Sequence, residues 1–181
     1  MASYELGPAA RSRKKLTASV ILLSLLLVLF VLLQTSFFGF YPIFGAVPDL
    51  TLVLVLSAGL FLGEKAGGLI GLFGGILVES LGSFGITLLP LLYFLLGFFA
   101  GFYGRVKGET FPGYLIYFGL SLVYRAIITT VYANMTYQSV NFLKLLWYTL
   151  LPEALATAVV GLLLFLPLRA FCRRLDGRGG R

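Results

Sequence analysis

Apart from its two ends, the chain is a succession of apolar runs separated by short punctuation. An unbroken apolar run over 16–33 follows Arg11-Ser12-Arg13-Lys14-Lys15, and further apolar segments occupy 48–62, 66 to about 82, 86–103, 113–132 and 144–168. A helix needs at least ~17 residues to cross the hydrocarbon core, and the second and third segments lie near that limit. The pattern predicts an all-α integral membrane protein, a six-transmembrane-helix bundle. Its domains are a basic cytoplasmic N-terminal segment at 1–15, a transmembrane domain at 16–168 and a basic cytoplasmic tail at 169–181. The first run outlines a signal peptide, but it is long enough to span and no small-residue cleavage site follows, so it reads as a retained helix.

The third segment reads as the helix around which the others pack. At roughly 100° per residue, Gly68, Gly71, Gly75, Glu79 and Gly82 fall on one stripe. Glycine costs roughly 0.8–1 kcal/mol against alanine inside a helix, so such a stripe predicts neighbours at very short range. Gly97, Gly101 and Gly104 form a second stripe on the fourth segment, its natural partner. Gly68, Gly71, Gly75, Gly97, Gly101 and Gly104 are the candidate helix-packing or partner groove. A phosphate-cradling loop is excluded, because no Gly-Lys-Ser/Thr follows and the segment is too apolar.

The punctuation sets the remaining expectations. Residues 37–44 mix aromatic rings with Gly39 and Pro42 and carry no charge, as suits a lipid interface. Pro48-Asp49 opens the second span, with Asp49 read as its cap. Gly63-Glu64-Lys65 reads as a tight turn, and Lys144, Trp147 and Tyr148 as interface anchors at the head of the last span.

Composition sharpens the class. The chain is 59% hydrophobic and 12% charged, against about 25% charged in a soluble domain. A net charge of +7 would suggest nucleic acid in a soluble protein. Here the basic residues gather at the termini and in alternate loops, which points to anionic membrane lipids and no nucleic acid. That asymmetry also places both termini in the cytoplasm. Cys172 is the single cysteine, which excludes an intrachain disulfide, and there is no histidine, which excludes zinc-protease and serine–histidine chemistry. No enzyme, metal or cofactor is expected.

Three charges fall inside the apolar runs: Glu79, Arg125 and Glu153. A charge at membrane depth costs at least ~2.5–3.5 kcal/mol and normally faces a partner or water. Counted along their helices at 1.5 Å per residue, all three can share one layer. They form the candidate buried charge cluster, either a structural ion pair or triad that fixes helix register, or an ion path or ligand site.

In the order of these features, Pro48-Asp49-Leu50 opening a span, the turn at Gly63, the run from Gly67 to Glu79, then Tyr93, Gly97 and Gly101, the chain resembles the bacterial rod shape-determining MreD family over roughly 45–170. In that family the carboxylate after the glycine run is commonly aspartate. The resemblance implies a non-enzymatic scaffold of the cell-elongation complex, or elongasome, acting in cell shape and in the regulation of peptidoglycan synthesis. Its location would be the bacterial cytoplasmic (inner) membrane. Its partners would be the single-pass protein MreC, RodA with its penicillin-binding transpeptidase, and the actin-like MreB. It also implies a six-helix architecture similar to the substrate-binding subunits of energy-coupling-factor vitamin transporters, which are the alternative function. Against that alternative, Ala18 is followed four residues later by Leu22, where those subunits usually carry small residues four apart.

Overall fold

The computed structural model describes residues 21–43, 45–81, 88–107, 110–137 and 142–175. Gly82, the loop after it and both chain ends therefore lie outside the described residues. Within them the chain is almost entirely helical. The rods are α1 (Ile21–Phe40), α2 (Leu50–Leu62), α3 (Glu64–Leu81), α4 (Leu89–Lys107), α5 (Phe111–Tyr137) and α6 (142–175). Two rods contain a π turn, Leu33–Phe37 in α1 and Leu146–Leu150 in α6. Four of them, α1, α4, α5 and α6, are long and apolar enough to cross a membrane. The 13 residues of α2 span only about 20 Å, and α3 carries Glu64, Lys65 and Glu79 in its 18 residues.

The most enclosed element is α2, not the glycine helix. Every residue from Leu50 to Phe61 is buried. A helix that is apolar on all sides belongs inside a bundle, and α2 meets α3, α4 and α6 around its circumference. Its two polar residues are satisfied locally: Ser57 Oγ donates to Val53 O (2.7 Å), and Thr51 donates from both N–H and hydroxyl to Gln34 Oε1 on α1 (3.3 and 3.2 Å). By contrast α3 exposes Leu69, Leu72, Phe73 and Ile76, so it is a flank of the bundle rather than its centre. The expectation of a glycine hub is corrected accordingly. Glycine density reports how closely a helix approaches its neighbours, not how many sides it has covered.

The close approach itself is present. A side chain at Gly71 would run into the Tyr93 carbonyl, one at Gly75 into Pro90, one at Gly97 into the Gly67 carbonyl, and one at Gly101 into the Glu64 backbone. Gly104 lies over the Leu60 backbone, whereas Gly68 meets only the edge of the Phe94 ring (3.1 Å). These glycines thus hold α2, α3 and α4 at backbone contact. Gly59 and Gly67 belong to the same interface. Between α2 and α3 a single residue turns the chain, Gly63 at φ 96°, a conformation side chains disfavour.

Elsewhere the elements run past their expected ends. The aromatic segment begins while α1 is still helical, with Phe37 stacked edge-on to Phe38. Helix α6 continues through Arg169, Arg173 and Arg174, so the first part of the basic tail is helical. Cys172 is fully buried there.

Candidate functional site, a buried ion cluster

Between Lys15 and Glu64 the sequence holds one charged residue, Asp49. It is the N-cap of α2, where Oδ1 accepts the Leu52 N–H at 2.9 Å. Capping fixes the carboxylate at the N-terminal end of the helix, where the dipole favours an anion. Its own N–H donates to Thr157 Oγ1 on α6 (3.0 Å), and that hydroxyl donates to Glu153 O (2.7 Å). The second oxygen, Oδ2, accepts the Tyr93 hydroxyl from α4 at 2.5 Å and is ion-paired with Arg125 Nη1 from α5. The second terminal nitrogen, Nη2, is ion-paired with Glu153 Oε1 on α6. One arginine therefore bridges two carboxylates, and four helices meet at the cluster.

Asp49 has no exposed surface, while the Arg125 and Glu153 side chains keep 19% and 23% of theirs. The planar guanidinium suits this role, since its fixed fork can engage two acceptors at once. At formal charges the three groups sum to −1.

Of the three charges expected in one layer, the structure brings Arg125 and Glu153 together and leaves Glu79 aside. Glu79 is half-buried and has no ion pair among the described residues. The register of α3 explains this. Gly71 abuts Tyr93 and Gly75 abuts Pro90, so the next turn of the stripe, at Glu79, passes beyond the first residue of α4. Counting along helix axes gives depth but not direction around the axis. Asp49 takes the place assigned to Glu79, and its isolation in a long uncharged stretch was the signal for it.

Beside the cluster lies a cavity of about 420 Å³, lined by Arg125, Glu153 and Tyr93 together with Gln34, Thr129 and Tyr148 among others. A second hollow, about 510 Å³, opens between α4 and α5. It is lined by Leu95, Phe99, Phe102, Val106, Leu120 and Tyr124, with Lys107 at one end. Comparison with known protein families, curated proteins and solved structures finds no match to this chain.

A separate ion pair, Arg105 to Glu64 at 2.7 Å, ties α4 to the head of α3 at the opposite end of the bundle. Arg105 is largely exposed there, so the pair is worth little. Among the described residues no three Asp, Glu, His or Cys side chains gather in a way that could hold a metal.

Proposed function

We propose that this chain is a non-enzymatic membrane scaffold subunit of the bacterial cell-elongation complex. In this reading all six helices lie in the cytoplasmic membrane with both termini inside, and the single transmembrane helix of an MreC-like partner docks on the bundle. RodA and its penicillin-binding transpeptidase would be held in the same assembly. The order of features in the sequence resembles the MreD family, and the groove between α4 and α5 is the observation that carries the reading. Phe99, Phe102, Val106 and Leu120 are each about half exposed or more along it. A row of large apolar side chains flanking a hollow suits the apolar face of a helix. The glycine stripes do not serve this purpose, because their close contacts lie within the bundle.

The test is co-purification with an MreC-like protein from membranes, scored beside folded yield. Filling the groove with Leu120→Trp should reduce the recovered partner roughly tenfold while folded yield holds. If the partner is recovered unchanged, the groove is not its site. The cavity beside Arg125 and Glu153 favours a second reading, a vitamin-transporter substrate-binding subunit. A saturable rise in melting temperature with a vitamin, and no partner recovered, would select it.

A further inference from the structure

The backbone of a membrane protein is irregular at depth only where protein covers it or where it borders a water-filled space. Here the short helix α2 is preceded by a non-helical segment, and Gly45, Ala46 and Val47 of that segment border the cavity beside the ion cluster. Interrupted or unusually short apolar segments are a pointer to binding sites in transporters. A second feature points to the same place. Both π turns of the described structure contribute to this cavity, Gln34 from α1 and Thr149 from α6. Such turns are frequent at functional sites.

The chemistry of the lining narrows what can enter. Asp49 and Glu153 hold the two terminal nitrogens of Arg125, and Nη1 also reaches the Tyr93 hydroxyl (3.5 Å), so its charge is already compensated and offers an anion little net attraction. Glu153 uses Oε1 for that pair, and Oε2 makes no hydrogen bond among the described residues. The cluster carries one negative charge in excess, and Lys144, the nearest lysine along α6, is exposed and does not line the cavity. Two aromatic rings, Tyr93 deep inside and Tyr148 at the exposed rim, border it, and rings of this kind attract ammonium groups. Leu92 and Ile128 provide apolar wall. The volume, about 420 Å³, is within the usual range for a small organic ligand and too large for a single bare ion.

We infer that this cavity binds a compact organic cation, an ammonium group on a short aliphatic body, with the charge held by Glu153 and the body against Leu92 and Ile128. The inference goes beyond the scaffold reading and does not depend on it. Arg169, Arg173 and Arg174 lie toward the far end of the rod whose head carries Tyr148, and with that basic end on the cytoplasmic side the rim opens on the side away from the cytoplasm.

The experiment uses the purified full-length chain in lipid nanodiscs. Choline and n-butylammonium are titrated by equilibrium dialysis, with 3,3-dimethylbutan-1-ol as the uncharged counterpart of choline. Saturable binding of the two cations, and none of the alcohol, is expected. Thr129→Phe, which fills the cavity from α5 one turn beyond Arg125 and removes no charge from the ion cluster, should abolish binding at unchanged folded yield. Glu153→Gln should weaken it roughly tenfold. Should Glu153→Gln fail to fold, Thr129→Phe still decides the matter. Equal uptake of the alcohol, unchanged binding by Thr129→Phe, or no saturable binding at millimolar cation would overturn the inference. Loss of an MreC-like partner in co-purification has no bearing on this result, so the two proposals fail separately.

Discussion

Two halves of the bundle are held together by different means. Helices α2, α3 and α4 meet backbone to backbone, with Gly59, Gly67, Gly71, Gly75, Gly97 and Gly101 removing the side chains that would stand between them. Helix α5 makes few close backbone approaches and is held by side chains. Its first half places Phe111 and Tyr114 against Phe165 of α6, with ring centroids 4.9 and 4.6 Å apart. Tyr117 donates to Leu96 O at 3.0 Å, and Arg125 completes the ion cluster. The cavity beside the ion cluster and the hollow between α4 and α5 both border α5. Without a strong hydrophobic force between helices in lipid, close van der Waals packing and polar pins are the available devices; glycine contacts dominate the first half, with Tyr93–Asp49 and Arg105–Glu64 as its polar links, and side-chain pins hold the second. The first half cannot yield without a backbone shift. The second can change one pin at a time.

The largest effect is expected where backbones touch. Gly101→Leu forces a side chain into the Glu64 backbone, and a change of that size in a filled interface should remove folded protein altogether, measured as monodisperse yield after solubilisation. Gly68→Leu, facing only a ring edge, should be tolerated far better. If both behave alike, the glycines are not distinguished by backbone contact.

Next comes the ion cluster. Arg125→Leu leaves Asp49 and Glu153 without their cation, and breaking one side of a buried pair costs about 3–5 kcal/mol. Reversible unfolding in detergent should show this loss, and adding Glu153→Gln should return part of it. A smaller effect is expected at the next pin along α5. Tyr117→Phe removes the hydrogen bond to Leu96 O while keeping the ring against Tyr103, for a loss of about 1 kcal/mol. The smallest is at the Arg105–Glu64 pair, where Glu64→Gln should change stability by about 0–1 kcal/mol and less still in high salt.

The sequence makes the first half legible and the second only in part. Glycines at spacings of three and four define a helix face by themselves, so Gly71 and Gly75 on one helix and Gly97 and Gly101 on another announce a close interface from spacing alone. The positions of Gly63 and of the Asp49 cap are equally local. The centre of the bundle is not local. The run 50–62 is apolar on all sides, and such a run reads the same whether lipid or protein surrounds it; only its short length and Thr51 and Ser57 hint that protein does. For the ion cluster, spacing along α5 and α6 brings Arg125 and Glu153 to a common depth. It gives no direction around the helix axis, so Glu79 is equivalent to Asp49 until the contacts of Gly71 with Tyr93 and Gly75 with Pro90 fix the rotation of α3.

Which carboxylates neutralise Arg125 is therefore the question that tests the account most directly. A double-mutant cycle on unfolding free energy pairs Arg125→Leu in turn with Asp49→Asn, Glu153→Gln and Glu79→Gln. The structure predicts coupling of about 0.5–3 kcal/mol for Asp49 and for Glu153, and simple additivity for Glu79. Coupling of Arg125 to Glu79 together with additivity toward Asp49 would contradict it.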